Sequence, residues 1–402
     1  MAHDVGATRV AAELEPYLDL HRDGSSLRST VARLSPAALA CLDRTALLML
    51  RPDSFANGSA LAILDWLRHD HGLDIVRVAI RRVSQRTFDE LYLKELPLIA
   101  PGLRLHHRIS ADAPSAFVLL TGPASQEASL SSRVDALKGA TSPSAETGED
   151  TLRARFGRQS SFHVVAHTAE DAGEALAGAI AAFGQDDVVG LLHSLADGSI
   201  EPLDDDTVRL LVGEVAAPPA RDVYAVAISV KRRICAELRR LCPHLGGEVD
   251  ELAELYARVA IDEAASFVGH RDAYVAMARF ERPVLKRLIA LTEPGAAGRD
   301  TRTEGNDRSS VAARWRALDL ARAPAELAYV SWFLSGHERY GRDDGEAIFA
   351  VLDEHSIVLS AWERSLVSAG LICDLDPGFS FAGVRTYPLD PPPAAGSASN
   401  AS

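Results

Sequence analysis

Cysteine is scarce in this chain: Cys41, Cys235, Cys242 and Cys373 are all it has, with no CxxC pair and no zinc-type spacing. That excludes a disulfide scaffold and a cysteine-built zinc site, and fits the reduced, buried thiols of a cytoplasmic protein. Cys235 and Cys242, seven apart on a helical stretch, share a face and serve packing. No run of about 18 apolar residues occurs, so no membrane-spanning helix is expected. The first residues, MAHDVGATRVAAELEP, carry acids and no apolar stretch, unlike a secretory signal. Positive charge is in deficit. A formal charge of −14 argues against a general nucleic-acid binder, which needs a concentrated cationic surface, yet leaves room for a small basic pocket. Lys, Asn and Ile are thin beside Ala, Arg, Gly and Asp, the bias of a high-GC bacterial coding sequence. No Gly-x-Gly-x-x-Gly, P-loop, Gly-x-Ser-x-Gly or HExxH is present.

At 402 residues the chain exceeds one ordinary core, so two domains with tails are expected. Residues 1–42 read as a helical extension, with Leu14, Tyr17, Leu18 and Leu20 clustered and a break at Asp23–Ser26. Residues 43–185 alternate. Thr45–Leu50, Asp74–Val83, Ser115–Thr121 and Ser161–Ala166 read as strands. Ser59–His69, Ser84–Leu96, Ser129–Lys138 and Ala169–Phe183 read as helices between and after them. Two strand–helix–strand units in succession predict an α+β, ferredoxin-like (split βαβ) fold. Residues 186–206 read as an acidic, turn-rich connector, and 207–385 as an α-helical domain. There Asp222–Leu241 lines up Val223, Val226, Val230, Ile234, Leu238 and Leu241. Glu248–Leu291 continues with a break expected near Gly269 or Pro283, and helices resume over Val311–Tyr340 and Asp344–Ser368. Residues 386–402, rich in Pro, Ala and Ser, read as a disordered tail.

Two segments carry the chemistry. In RTALLMLRPD, Arg44–Asp53, an apolar run ends abruptly in Arg-Pro-Asp, as a buried strand does when it delivers a cation to its exposed end. In TLRARFG, Thr151–Gly157, two arginines alternate beside a glycine. Arginine offers planar, bidentate donors to phosphate oxygens, so a strand-end cation and a downstream pair suit a polyphosphate. The plain structural reading of Arg51 is a strand terminator paired with Asp53 or Asp65.

In order and spacing, residues from about Arg44 to Phe183 resemble the nucleoside diphosphate kinase family. Arg51-Pro52-Asp53 stands where that family has Lys-Pro-Asp. Tyr92 matches its helix tyrosine, and Gly139, Thr141 and Pro143 match its Gly-x-Thr-x-Pro loop. Arg153 matches the arginine of its Leu-Arg segment. The resemblance implies a phosphotransferase that moves the γ-phosphate of a nucleoside triphosphate through a phosphohistidine, with Mg2+ accompanying the nucleotide, and a homo-oligomer. It also implies nucleotide contacts at Arg51, Tyr92, Thr141 and Arg153. Anchoring on the Gly-Arg at 157–158 puts His163 at the nucleophile position, whereas anchoring on Thr168–Asp171 puts Val164 there. The family's His-Gly-Ser-Asp signature is absent, and His167 is the other histidine of the segment. A one-residue slip on a strand turns a side chain to the opposite face, so the sequence leaves this choice open. The family's second phosphate arginine falls on Asp135, with Arg133 and Lys138 as substitutes.

Two other readings stand beside this one. The first domain could be a degenerate nucleotide-binding scaffold whose helical partner domain binds a protein. Alternatively, the helical domain holds its own activity. There Glu263 and His270 share a face, without the Glu-x-x-His spacing of a di-iron site.

Overall fold

The computed structural model describes residues 2–20, 25–91, 111, 113–123, 125–139, 150–156, 164–215, 223–259, 267–292, 323–335 and 342–368. The chain divides into two compact units, Met1–Arg221 and Asp222–Ser402.

In the first unit, α1 (Ala2–Leu20), α2 (Ser26–Arg33) and α3 (Pro36–Ala40) lead through a short 3-10 turn into β1 (Thr45–Leu50). Ser25 and Ser35 cap α2 and α3 by accepting from the amides of Arg28 and Ala38. Then follow α4 (Pro52–Ala56), α5 (Ala60–His69), β2 (Asp74–Arg81), α6 (Gln85–Leu91) and β3 (Ser115–Thr121). The unit continues with α7 (Leu130–Lys138), α8 (Leu152–Phe156), β4 (Ala166–Thr168), α9 (Ala172–Phe183), α10 (Gln185–Ala196) and α11 (Asp205–Gly213). The sheet order is β2-β3-β1-β4, every neighbouring pair antiparallel. Two successive strand–helix–strand units interleave their strands in this order, which is the expected α+β, split βαβ arrangement.

All six residues of β1 are buried, because both faces of the sheet are covered. Leu47, Met49, Phe117 and Leu119 face one core with α1, α6 and α9. Ala46, Leu48, Leu50, Val118 and Leu120 face the other with α5, α7 and α8. That is why the sequence reads as a continuous apolar run and not as an alternation. The helix α1 presents Val10, Leu14 and Tyr17 to the first core, one stripe at helical spacing.

Three expectations change. The segment 186–206 is no bare connector. In α10, Val188, Leu192 and Leu195 form a buried stripe that completes the first core, while Asp186 and Asp187 stay at its exposed start. The chain then runs along the edge of β2, where the amide of Leu203 donates to the Ile75 carbonyl at 2.7 Å. Val208 and Val212 of α11 bury in the second core, so this unit extends to Arg221 rather than ending at 185. The acids had masked an amphipathic helix. Second, β4 covers Ala166–Thr168 and not Ser161–Ala166; residues 161–163 lie outside the described residues. Third, in the helical unit Pro283 does not break α14 (Phe267–Thr292), whose buried Met277, Glu281, Val284 and Leu288 flank the proline and hold the helix against its neighbours.

That unit contains α12 (Val223–Leu241), α13 (Gly246–Arg258), α14, α15 (Ala323–Leu334), α16 (Arg342–Glu354) and α17 (Ala361–Val367). The α12 stripe read from sequence is buried at Val223, Val226, Val230, Ile234 and Leu238. No helix among the described residues is long and apolar enough to cross a membrane. The terminal segment 386–402 lies outside the described residues.

Leu48 is fully enclosed at the centre of the sheet. Leu48→Ala is expected to lower the stability of the first unit by about 2–5 kcal/mol in urea unfolding, the usual cost of a cavity in a close-packed core.

Candidate functional site

The strand β1 ends at Arg51 because Pro52 follows. Proline needs no amide partner at the first helical position, so α4 starts at once. Arg51 is still extended, at φ −82° and ψ 163°, and its amide donates to the Val165 carbonyl at 3.0 Å. Strand alternation therefore keeps Arg51 on the side of Met49, and Met49 is paired with His167 across the ladder. The guanidinium is wholly buried, with Nε 3.9 Å from Oδ2 of Asp53.

Arg153 enters from α8 and is 4 % exposed. It donates to the carbonyl oxygens of Gly139 and Ala166, each at 3.1 Å, tying the end of α7 to the start of β4. Gly139 has φ +78°, and a Cβ there would lie 2.5 Å from Oγ1 of Thr151, so this junction requires glycine. One residue earlier, Lys138 pairs with Asp135, and Asp135 accepts at 2.8 Å from the hydroxyl of Thr168.

His167 lies among these groups, its side chain 13 % exposed. Burial holds its pKa well below the usual imidazole range, and the charges of Lys138, Arg153 and Arg51 push the same way, with Asp135 opposing. The ring is held toward its neutral form by burial first and by these charges second. Its Nε2 is 3.5 Å from Oε1 of Glu174. The other oxygen of that carboxylate accepts from the Glu170 amide at 2.7 Å, while Asp171 caps α9 by accepting from the Glu174 amide at 2.9 Å. The carboxylate thus sits in a fixed position, facing Nε2 of the ring.

Of the residues singled out in the sequence, Arg51 and Arg153 act on the charge of His167, while their nearest partners are Asp53 and the Gly139 and Ala166 carbonyls; His163, Tyr92 and Thr141 lie outside the described residues. Both guanidinium groups are enclosed rather than displayed to solvent. At the place of the family's second phosphate arginine, Asp135 carries no cation, but Lys138, three residues on, does. Arg133 instead turns to the Pro123 carbonyl at 2.8 Å. Sequence reasoning missed Glu174. The signal for it was Asp171-x-x-Glu174, a capping pattern that opens four residues beyond His167 and fixes where a helix begins.

The helical unit has a polar centre of its own. Lys231 of α12 and Glu281 of α14 are fully buried, with Nζ 2.7 Å from both carboxylate oxygens, and Ser335 joins them. Tyr256 and Tyr274 hold the ammonium between their rings, each centroid 5.3 Å away. Burial lowers the pKa of Lys231 against the pull of Glu281. The Cys235 thiol beside them is pushed up to about 12 by burial, which removes it as a nucleophile. This cluster binds α12 to α14 and to the end of α15. Among the described residues no group of three or more His, Cys, Asp or Glu side chains could hold a metal ion.

Three outcomes are expected. Lys138→Gln raises the titration midpoint of the His167 ring toward the ordinary value of about 6.5, read by NMR of the imidazole protons; an unmoved midpoint contradicts the electrostatic account. Because the folded pKa lies below the unfolded one, His167 contributes stability above about pH 6.5 that fades as the pH falls through that value. In the helical unit, Lys231→Met strands a buried carboxylate and costs about 3–5 kcal/mol, whereas Lys231→Met with Glu281→Leu costs clearly less in thermal unfolding.

No known family profile matches the chain, and no curated protein matches it. Solved structures that resemble it are nucleoside diphosphate kinases. The enzyme of Aquifex aeolicus is 19% identical, over 35% of this chain and 94% of that one, at a TM-score of 0.31. That of Encephalitozoon cuniculi is 14% identical over 42% of this chain and 99% of that one, at 0.31. The Pyrobaculum aerophilum protein is 18% identical over 36% and 98%, at 0.30.

Proposed function

We propose that the first unit is a nucleoside triphosphate-dependent phosphotransferase of the nucleoside diphosphate kinase kind, with His167 as the phosphoryl acceptor. One observation carries this reading: a partly exposed imidazole with its Nε2 3.5 Å from a fixed carboxylate, held toward its neutral form by burial and by the charges of Lys138, Arg153 and Arg51. A nucleophilic nitrogen must be unprotonated at working pH, and the surrounding cations serve both ends. They depress the ring pKa and attract the phosphate that the ring attacks.

In this reading the lone pair of Nδ1 forms a bond to the γ-phosphorus as the bond to the β–γ bridging oxygen breaks. The nucleoside diphosphate leaves with that electron pair. The ring becomes a phosphorylated imidazolium whose proton stays on Nε2, and Glu174 balances its charge. The reverse step passes the phosphoryl group to an acceptor diphosphate. The enclosed Arg51 and Arg153 act through their fixed fields in a site of low dielectric, where preorganised charge is worth more than in water. Lys138, 12 % exposed, is the cation that reaches the phosphate. Tyr92 and Thr141 remain nucleotide contacts in this proposal, and Mg2+ arrives as part of the nucleotide, held mainly by its phosphates. His163, the acceptor expected from the sequence, lies outside the described residues and is the alternative to His167 that labelling distinguishes.

A second reading has its own observation. Arg153 spends two donors on backbone carbonyls and Arg51 is shut in beside Asp53, which is how structural arginines behave. A nucleotide-binding scaffold would need no more.

Incubation with γ-labelled ATP and magnesium separates the two. Phosphotransfer predicts an acid-labile, base-stable label that disappears in His167→Ala and survives in His163→Ala. Arg153→Ala is expected to slow it about 10²–10³-fold. A label that follows His163 defeats the assignment of the acceptor. Nucleotide binding without any label establishes the scaffold instead.

A further inference from the structure

The helix α1 precedes the split βαβ unit, yet it touches the candidate site from behind. Oε2 of Glu13 accepts a hydrogen bond from the Ala172 amide at 2.8 Å. Ala172 is fully buried and opens α9, so this amide is one of the donors that a helix start cannot satisfy internally. Two residues later on the same turn is Glu174, the carboxylate beside His167. Asp171 caps the turn from the position just before the helix, and Glu13 caps it from another element.

The approach is close enough to dictate sequence. A Cβ on Gly173 would lie 2.4 Å from the Tyr17 ring and 2.5 Å from the Glu13 carbonyl oxygen, so only glycine lets α1 pass over this turn. Tyr17 is 2% exposed there. Arg9, one turn before Glu13, anchors α1 further by donating to Asp43 and to the Ser125 and Gln126 carbonyls.

We propose that Glu13 is a positioning residue of the site: through the Ala172 amide it fixes the first turn of α9, and so the placement of Glu174 against Nε2 of His167. This deepens the phosphotransferase reading and rests on it for its functional consequence. The link from Glu13 to the ring is geometric and stands without that reading. The expected state of the wild-type ring is a single tautomer, set by the fixed Glu174 carboxylate 3.5 Å from Nε2. A loose α9 start lets Glu174 swing and mixes the two tautomers. A residue that only stabilised the fold would change the melting temperature and leave the ring unaltered.

The experiment is ¹⁵N NMR of the histidine rings in the full-length protein at neutral pH, beside the rate of phosphoryl labelling. Glu13→Ala and Gly173→Ala should each shift His167 from one tautomer to a mixture. They should slow labelling about 10–100-fold with the nucleotide KM little changed, as misplacement of a reacting group does. Glu13→Gln keeps an acceptor oxygen for the Ala172 amide and should restore both readouts. An unshifted His167 ring in Glu13→Ala overturns the proposal, as does a failure of Glu13→Gln to rescue it. Should Glu13→Ala not fold, Gly173→Ala, which leaves every polar group in place, answers the same question. A shifted ring in a protein that never labels leaves Glu13 as the positioning residue and removes the phosphotransferase reading alone.

Discussion

The pairing of β1 with β4 is the constraint on which the site depends. Three registered pairs, Leu48 with Thr168, Met49 with His167 and Leu50 with Ala166, set one edge of the sheet. That register brings His167 to the end of the strand where Arg51 stands and where Pro52 stops the ladder. Slipping the pairing by one residue would send the imidazole into the opposite core and bring Ala166 to its place. The Arg153 side chain reinforces the register by holding the Ala166 carbonyl.

Gathering three cations about one imidazole has an electrostatic cost, and the neighbourhood shows how the fold meets it. Arg153 is neutralised in part by two carbonyl dipoles, Lys138 by Asp135, and Arg51 lies beside Asp53. His167 relieves the remainder by staying unprotonated. The helical unit treats charge differently. Lys231 and Glu281 are sealed together with Ser335 between two tyrosine rings, and burial pushes up the pKa of the neighbouring Cys235 thiol. A closed ion pair of this kind fixes which helices meet, whereas the arrangement in the first unit has a partly exposed imidazole side chain.

Legibility in the sequence differed sharply between fold and site. Strong periodicities were readable: the β1 run and the α12 stripe. Where composition masked periodicity, the reading failed. The acids of 186–206 hid the Val188, Leu192 and Leu195 stripe, and Pro283 drew an expected break in a helix that packing keeps whole.

For the site, the sequence alone determined the residue types: an arginine at a strand end before proline, an arginine in a short helix, and histidines in the segment that follows. These depend on local covalent order, which the chain carries wherever it goes. Only the tertiary structure decided that His167 shares a neighbourhood with Arg51, Arg153 and Lys138, that Glu174 faces its ring, and that a residue as distant in sequence as Glu13 caps the same turn. Strand register and helix docking are set by the burial of side chains from segments a hundred or more residues apart. No local pattern encodes that sum, and so the direction in which a histidine points follows from the packed sheet and not from its neighbours in the chain.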